Sequence, residues 1–179
     1  MTETNKSQKT ILGIDPSSTA AGCALLDEGG RLLDAWIIKP AKISAAPQFR
    51  IDSICGDIAE LLGVVSPDII VIEWTVGKVG LRRHKGQGAG LAIYGAAVGA
   101  VWQAVKNWAR GKICEIVLIP ENEWTRGVSK GQRTARISST YPGYDLDADK
   151  GGDVADAIGI VEYFLRRKLL TVNWYTNNF

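Results

Sequence analysis

Thr10-Ile-Leu-Gly-Ile-Asp15-Pro16 decides how the rest of the chain is read. A short apolar run of strand type ends on a carboxylate. Pro16 lacks a backbone N–H and cannot continue a central strand, so Asp15 is expected at the carboxyl end of one. Gly22–Leu26 and Arg31–Ile38 read as two further strands, and Asp27-Glu-Gly-Gly30 between them is a hairpin signal. The three together form an antiparallel meander.

Working outward, Pro47–Val65 reads as a helix with an apolar stripe of Ile51, Ile54, Ile58, Leu61 and Leu62, stopped by Ser66-Pro67-Asp68. Ile69-Ile-Val-Ile72 has the composition of a strand buried on both faces, and it runs directly into Glu73. A basic loop, Val76–Gly88, leads into a long helix of small residues ending near Arg110, and Ile113–Ile119 is a fifth strand closed by Pro120. The pattern weakens from Glu121 to Tyr141. Tyr141-Pro-Gly-Tyr144 is a turn, residues 145–152 an acidic loop, and Asp153–Lys168 a closing helix with Val154, Ala157, Ile158, Val161, Phe164 and Leu165 as its stripe. This order predicts a single α/β domain with a mixed sheet. Its core spans about residues 10–168, between a polar N-terminal tail and an aromatic C-terminal one, Trp174–Phe179.

Composition narrows the function. The chain has 179 residues, 46% hydrophobic and 22% charged, which excludes disordered, collagenous and polytopic membrane classes. Residues 86–105 carry no charge, but their Gly, Ala and Gln content fits a buried helix better than a membrane span. Three cysteines without a CxxC pair and one histidine, His84, speak against structural zinc or disulfides. With no signal-peptide pattern, the expected compartment is the cytoplasm. Net charge is only +2, yet residues 78–136 hold 11 Lys/Arg against 3 Asp/Glu, and the remainder 10 against 16. A basic middle between acidic ends suits a site for an anion and a cation; a solvated surface explains it equally.

The acids are conspicuous by position. Asp15 and Glu73 end strands, and open α/β sheets bind ligands beyond the carboxyl ends of their strands. Asp153 and Asp156 open the last helix. Clustered carboxylates resist ionisation unless a cation neutralises them, and an all-oxygen set points to Mg²⁺ or Mn²⁺. Each acid has a plainer alternative: a turn for Asp15, an arginine partner for Glu73, an N-cap for Asp153 and a helix-dipole contact for Asp156.

Four motifs in order carry a family resemblance. Ile11-Leu-Gly-Ile-Asp15-Pro with Gly22, Val71-Ile-Glu73, Gly86-Gln87 with Gly90-Leu-Ala-Ile, and Asp153-Val-Ala-Asp156-Ala-Ile resemble the RuvC-type Holliday-junction resolvases of the RNase H-like superfamily. The resemblance implies a five-stranded mixed β-sheet flanked by α-helices, and a homodimer joined through the long helix. It implies a structure-selective endodeoxyribonuclease that resolves four-way (Holliday) junctions by paired nicks. Asp15, Glu73, Asp153 and Asp156 would be catalytic metal ligands for two Mg²⁺ ions, with Mn²⁺ as a substitute. Phosphodiester hydrolysis would leave 5′-phosphate ends.

Lys78, Arg82, Arg83 and Lys85, with Arg126, Lys130 and Arg133, are the candidate DNA contacts; Lys130 resembles a family lysine before the last helix. Position 76, where the cellular enzymes carry an aromatic junction wedge, is Val76, so Trp74 becomes the wedge candidate, or else a packed hydrophobe. Two other readings remain open: action on flaps, forks or RNA–DNA hybrids, and a catalytically silent junction binder. A branch-migration motor is an undecided partner, and no membrane partner is expected.

Overall fold

The computed structural model describes the backbone of residues 8–74, 87–141 and 149–176, and side chains within these except 87–89 and 169–176. Five strands form one mixed sheet: β1 (Thr10–Asp15), β2 (Ala21–Asp27), β3 (Leu32–Ile38), β4 (Ile69–Trp74) and β5 (Glu115–Pro120), in the order β3-β2-β1-β4-β5. β1, β2 and β3 pair antiparallel, and β4 lies parallel between β1 and β5. The hairpin is tied by Asp27, whose carboxylate accepts from the N–H groups of Gly29 and Arg31 and from Arg31 Nε. The sheet confirms the five-stranded α/β expectation.

Two layers of helices cover it. α1 (Pro47–Val65) and α2 (Gln87–Ala109) lie on one face, where Leu12, Ile14, Ile70 and Ile72 meet Ile54, Ile58, Leu62, Val101 and Val105. α3 (Glu121–Thr125), α4 (Lys130–Thr140) and α5 (Asp153–Thr176) cover the other, where Ile11 and Val71 meet Trp124, Ile137, Val154, Ile158 and Val161. α1 starts on Pro47 and ends with Ser66 in the left-handed region (φ 42°), as its flanking residues imply.

The sheet's strands differ in two places from the sequence reading. β4 runs through Glu73 to Trp74, and β5 begins at Glu115, leaving Ile113 fully exposed before the ladder starts at Ile69–Glu115. The weakly patterned segment is two helices. α5 continues eight residues beyond Lys168, so Trp174–Thr176 extend the helix and do not form a separate tail. No Gly or Pro follows Gly159 to stop it.

Two glycines let α5 lie against the sheet by its backbone. A Cβ on Gly13 of β1 would overlap the carbonyl of Ala157 and stand 2.6 Å from Val161 Cγ2. A Cβ on Gly22 of β2 would overlap the carbonyl of Asp153 and stand 2.7 Å from the nitrogen of Val154. The neighbours at Gly22 are backbone, so no rotamer change relieves the clash. Gly22→Ala is expected to lower stability by about 1–3 kcal/mol, the usual cost of overpacking. For a domain of this size that is roughly 2–4 °C in melting temperature per kcal/mol, checked by thermal unfolding.

Candidate active site

The parallel register that pairs Ile14 with Ile72 sets Asp15 and Glu73 side by side at the ends of β1 and β4. Strand alternation turns both toward α5: Ile11, four residues before Asp15, and Val71, two before Glu73, belong to the core on that face. Asp15 is 8% exposed and Glu73 6%. The first turn of α5, admitted by Gly22, adds Asp153 and the buried Asp156.

Asp15 is the most stressed of the four. Its carboxylate receives no hydrogen bond from any described residue. Burial drives its pKa well above the usual carboxylate range, and the charges of Glu73, Asp156 and Asp153 drive it further, against the pull of Lys130. A largely buried carboxylate beside three others fits a cation.

Glu73 is held at both oxygens. Tyr94 of α2 donates its hydroxyl to Oε1 at 2.7 Å, and the Trp124 indole of α3 donates Nε1–H to Oε2 at 2.9 Å. Burial raises the Glu73 pKa, and these two hydrogen bonds work against that rise. Burial, then the Glu73 charge, keeps the Tyr94 phenol protonated far above its ordinary range, so it donates. α3 follows β5 directly, which puts Trp124 under the sheet end; its ring packs on Gly159 and beneath the Arg133 guanidinium, 4.7 Å from the centroid.

The α5 acids are engaged by α4. Lys130 Nζ lies 2.8 Å from Asp153 Oδ1 and 3.3 Å from Asp156 Oδ2. Arg133 grips Asp156 with both Nε and Nη2, at 2.9 and 3.0 Å. Burial opposes a charged Lys130, but Asp153, Asp156 and Asp15 together outweigh it and raise its pKa. Among the described residues no three acidic, His or Cys side chains are already spaced around an ion. The donor chemistry fits a hard divalent cation; Lys130 and Arg133 are the counter-ions in its place.

The cap on α5 is Asp149, not Asp153. Its carboxylate accepts from the N–H groups of Asp153, Val154 and Ala155 at 2.9–3.0 Å, and it is 3% exposed. This removes the capping alternative for Asp153. Asp149→Ala would orphan three donors, two of them buried, at the turn carrying Asp153 and Asp156. The expected cost is about 1–3 kcal/mol, read from denaturant unfolding.

Of the candidate DNA contacts, Lys130 and Arg133 face the carboxylates, while Arg126 is exposed with its guanidinium 5.9 Å from the Tyr163 ring. Lys78, Arg82, Arg83, His84, Lys85 and Val76 lie outside the described residues. Trp74 is half-buried and packs edge-on to Trp102, centroids 5.8 Å apart. Tyr94, Trp124 and Asp149 escaped the sequence reading. Only Trp124 had a signal, lying in Pro120-x-x-x-Trp124 just past a strand that ends beside Glu73.

The five-stranded mixed sheet with helices on both faces is an RNase H-like fold, matching that of RuvC structures. Among solved structures, the chain is similar to Thermus thermophilus RuvC in complex with a Holliday junction substrate. The TM-score is 0.57, with 20% identity over 84% of this chain and 89% of that one. A second Thermus thermophilus RuvC structure matches with a TM-score of 0.56, 18% identity, and 84% and 90% coverage. The fowlpox virus Holliday junction resolvase matches with a TM-score of 0.52, 12% identity, and 88% and 98% coverage. No family model and no curated protein matches the sequence. Among the described residues no helix is long and apolar enough to cross a membrane.

Proposed function

We propose that this chain is a divalent-metal-dependent endonuclease that cuts branched DNA and resolves four-way junctions by paired, symmetric nicks. The observation that carries this reading is the convergence of Asp15, Glu73, Asp153 and Asp156 from β1, β4 and α5 at one sheet end. These four would hold two Mg²⁺ ions, with Mn²⁺ able to replace them. Bound there, such ions supply an acidified water and charge for the leaving oxygen. Water oxygen adds to phosphorus and the P–O3′ bond breaks, which gives 5′-phosphate and 3′-hydroxyl ends.

The chain's own residues set that chemistry up. Tyr94 and Trp124 fix the rotamer of Glu73, and Lys130 and Arg133 hold Asp153 and Asp156 until cations take over part of their charge. Lys78, Arg82, Arg83, Lys85 and Arg126 are the proposed phosphate contacts, and Trp74 the proposed wedge. Paired nicks need two sites. The exposed face of α2 with Leu91, Ala92, Gly95 and Ala96, where nothing would meet a Cβ on Gly95, supports a homodimer.

The test is a gel assay with end-labelled four-way junction, duplex, fork and RNA–DNA hybrid, each in Mg²⁺ or EDTA. Symmetric nicks confined to the junction and lost in EDTA are the expected result. Cutting of forks or hybrids instead keeps the nuclease and discards the junction. Tight junction binding without cutting favours the silent binder, for which the Lys130 and Arg133 pairing is the supporting observation.

A further inference from the structure

A cleft of about 580 Å³ opens between α3, α4 and α5. Four arginines line it, Arg126, Arg136, Arg166 and Arg167, against two carboxylates, Glu123 and Glu162. Arg136 pairs with Glu162, and Arg167 with Glu123 at 3.1 Å. Among the described residues Arg126 and Arg166 have no carboxylate partner, so two guanidinium charges stay uncompensated in a concave wall. Arg126 is set there by backbone: it and Gly127 both have positive φ (47° and 76°), turning the chain sharply between α3 and α4.

The cleft is joined to the reaction site by one side chain. Trp124 lines it and, by its indole nitrogen, holds Glu73. The cleft and the carboxylates are thus neighbours across this indole. Guanidinium forks match phosphate oxygens and are weakly hydrated, which suits them to a partly enclosed groove.

We propose that this cleft is a second phosphate-holding groove for the cut DNA strand, with Arg126 and Arg166 as its anion contacts. The proposal rests on the nuclease reading above and adds where the flanking strand runs. It also assigns the carboxylates of the cleft a role: Glu123 and Glu162 orient Arg167 and Arg136 and cap the net positive charge, so the groove holds a strand without trapping it.

The experiment measures binding of a labelled four-way junction by fluorescence anisotropy in EDTA across a salt series, with single-turnover cleavage in Mg²⁺ alongside. The variants are Arg126→Gln/Arg166→Gln and, separately, Glu123→Gln. The double variant is expected to bind about tenfold more weakly at moderate salt, with a salt slope shallower by about one to two, one unit per lost phosphate contact. Its melting temperature should stay within about a degree of wild type, since neither arginine carries an ion pair. Glu123→Gln removes a negative charge and is expected to bind roughly twofold tighter, a gain that no folding defect produces. If the double variant unfolds, Glu123→Gln decides alone. Wild-type affinity and slope in the folded variants overturn the groove. A wild-type chain that neither binds nor cuts branched DNA defeats the nuclease reading itself, and the groove with it.

Discussion

Asp15→Asn is expected to abolish metal-dependent cleavage, spare junction binding, and raise the melting temperature of the metal-free protein. The first effect follows from losing a ligand charge with little change in volume. A drop of at least about 100-fold is expected, since even an outer partner of a metal ligand is worth 10–100-fold. The third effect follows from burial. The folded protein holds the Asp15 proton more tightly than the unfolded chain, because burial and then Glu73 oppose its ionisation. Its contribution to stability is therefore full below the unfolded pKa, about 4, and is lost as pH rises through the folded one. Above the unfolded pKa the buried carboxyl group is therefore a burden to folding. Asn removes it, and a gain of about 1–3 kcal/mol is expected, or several degrees. Millimolar Mg²⁺ should reverse the order, stabilising wild type by RT ln(1 + [L]/Kd) and the variant far less. Wild-type cleavage by the variant would remove Asp15 from the ligand set. A lower metal-free melting temperature would show that Lys130 already compensates the charge.

What could be read from residue order was whatever local chemistry fixes. Pro16 marks where β1 stops, so Asp15 was placed at a strand end. The aliphatic run Ile69–Ile72 carried Glu73 to the same edge, and the stripe of α5 put Asp153 and Asp156 in its first turn. The α3–α4 segment was harder. Its helices are short, and in each only one residue is buried, Trp124 and Ile137, so there is no stripe to see. Ser129-Lys-Gly-Gln132 does form a capping box, a signal present in the sequence that marks the start of α4. The partners of Glu73 were not legible, because Tyr94 lies 21 residues and Trp124 51 residues away, and only the sheet's crossovers bring them together. Lys130 and Arg133 illustrate the same limit. Their charges were plain in the sequence, but whether they face DNA or the carboxylates depends on how α4 packs on α5.

Removing the two donors on Glu73 is expected to have the second large effect, and one that separates positioning from packing. Trp124→Phe keeps an aromatic ring on Gly159 and beneath Arg133 but loses the N–H to Oε2, and Tyr94→Phe loses only the hydroxyl on Oε1. Each leaves a buried carboxylate oxygen short of a donor, which costs about 1–3 kcal/mol of stability. Each should lower cleavage about 10–100-fold at fixed Mg²⁺, the range for a partner that orients a metal ligand. The distinguishing readout is the pH profile. Both hydrogen bonds lower the pKa of Glu73 against its burial, so losing either lets that pKa climb. The ionised form is the one that holds a cation, and activity is lost as pH falls through the Glu73 pKa. The acid limb of the rate profile is therefore expected to move to higher pH in both variants, and furthest in the double variant. Activity at alkaline pH should recover part of the loss. Loss of activity that is equal at every pH would make Tyr94 and Trp124 packing residues. An acid limb that stays in place would show that Glu73 does not control the reaction.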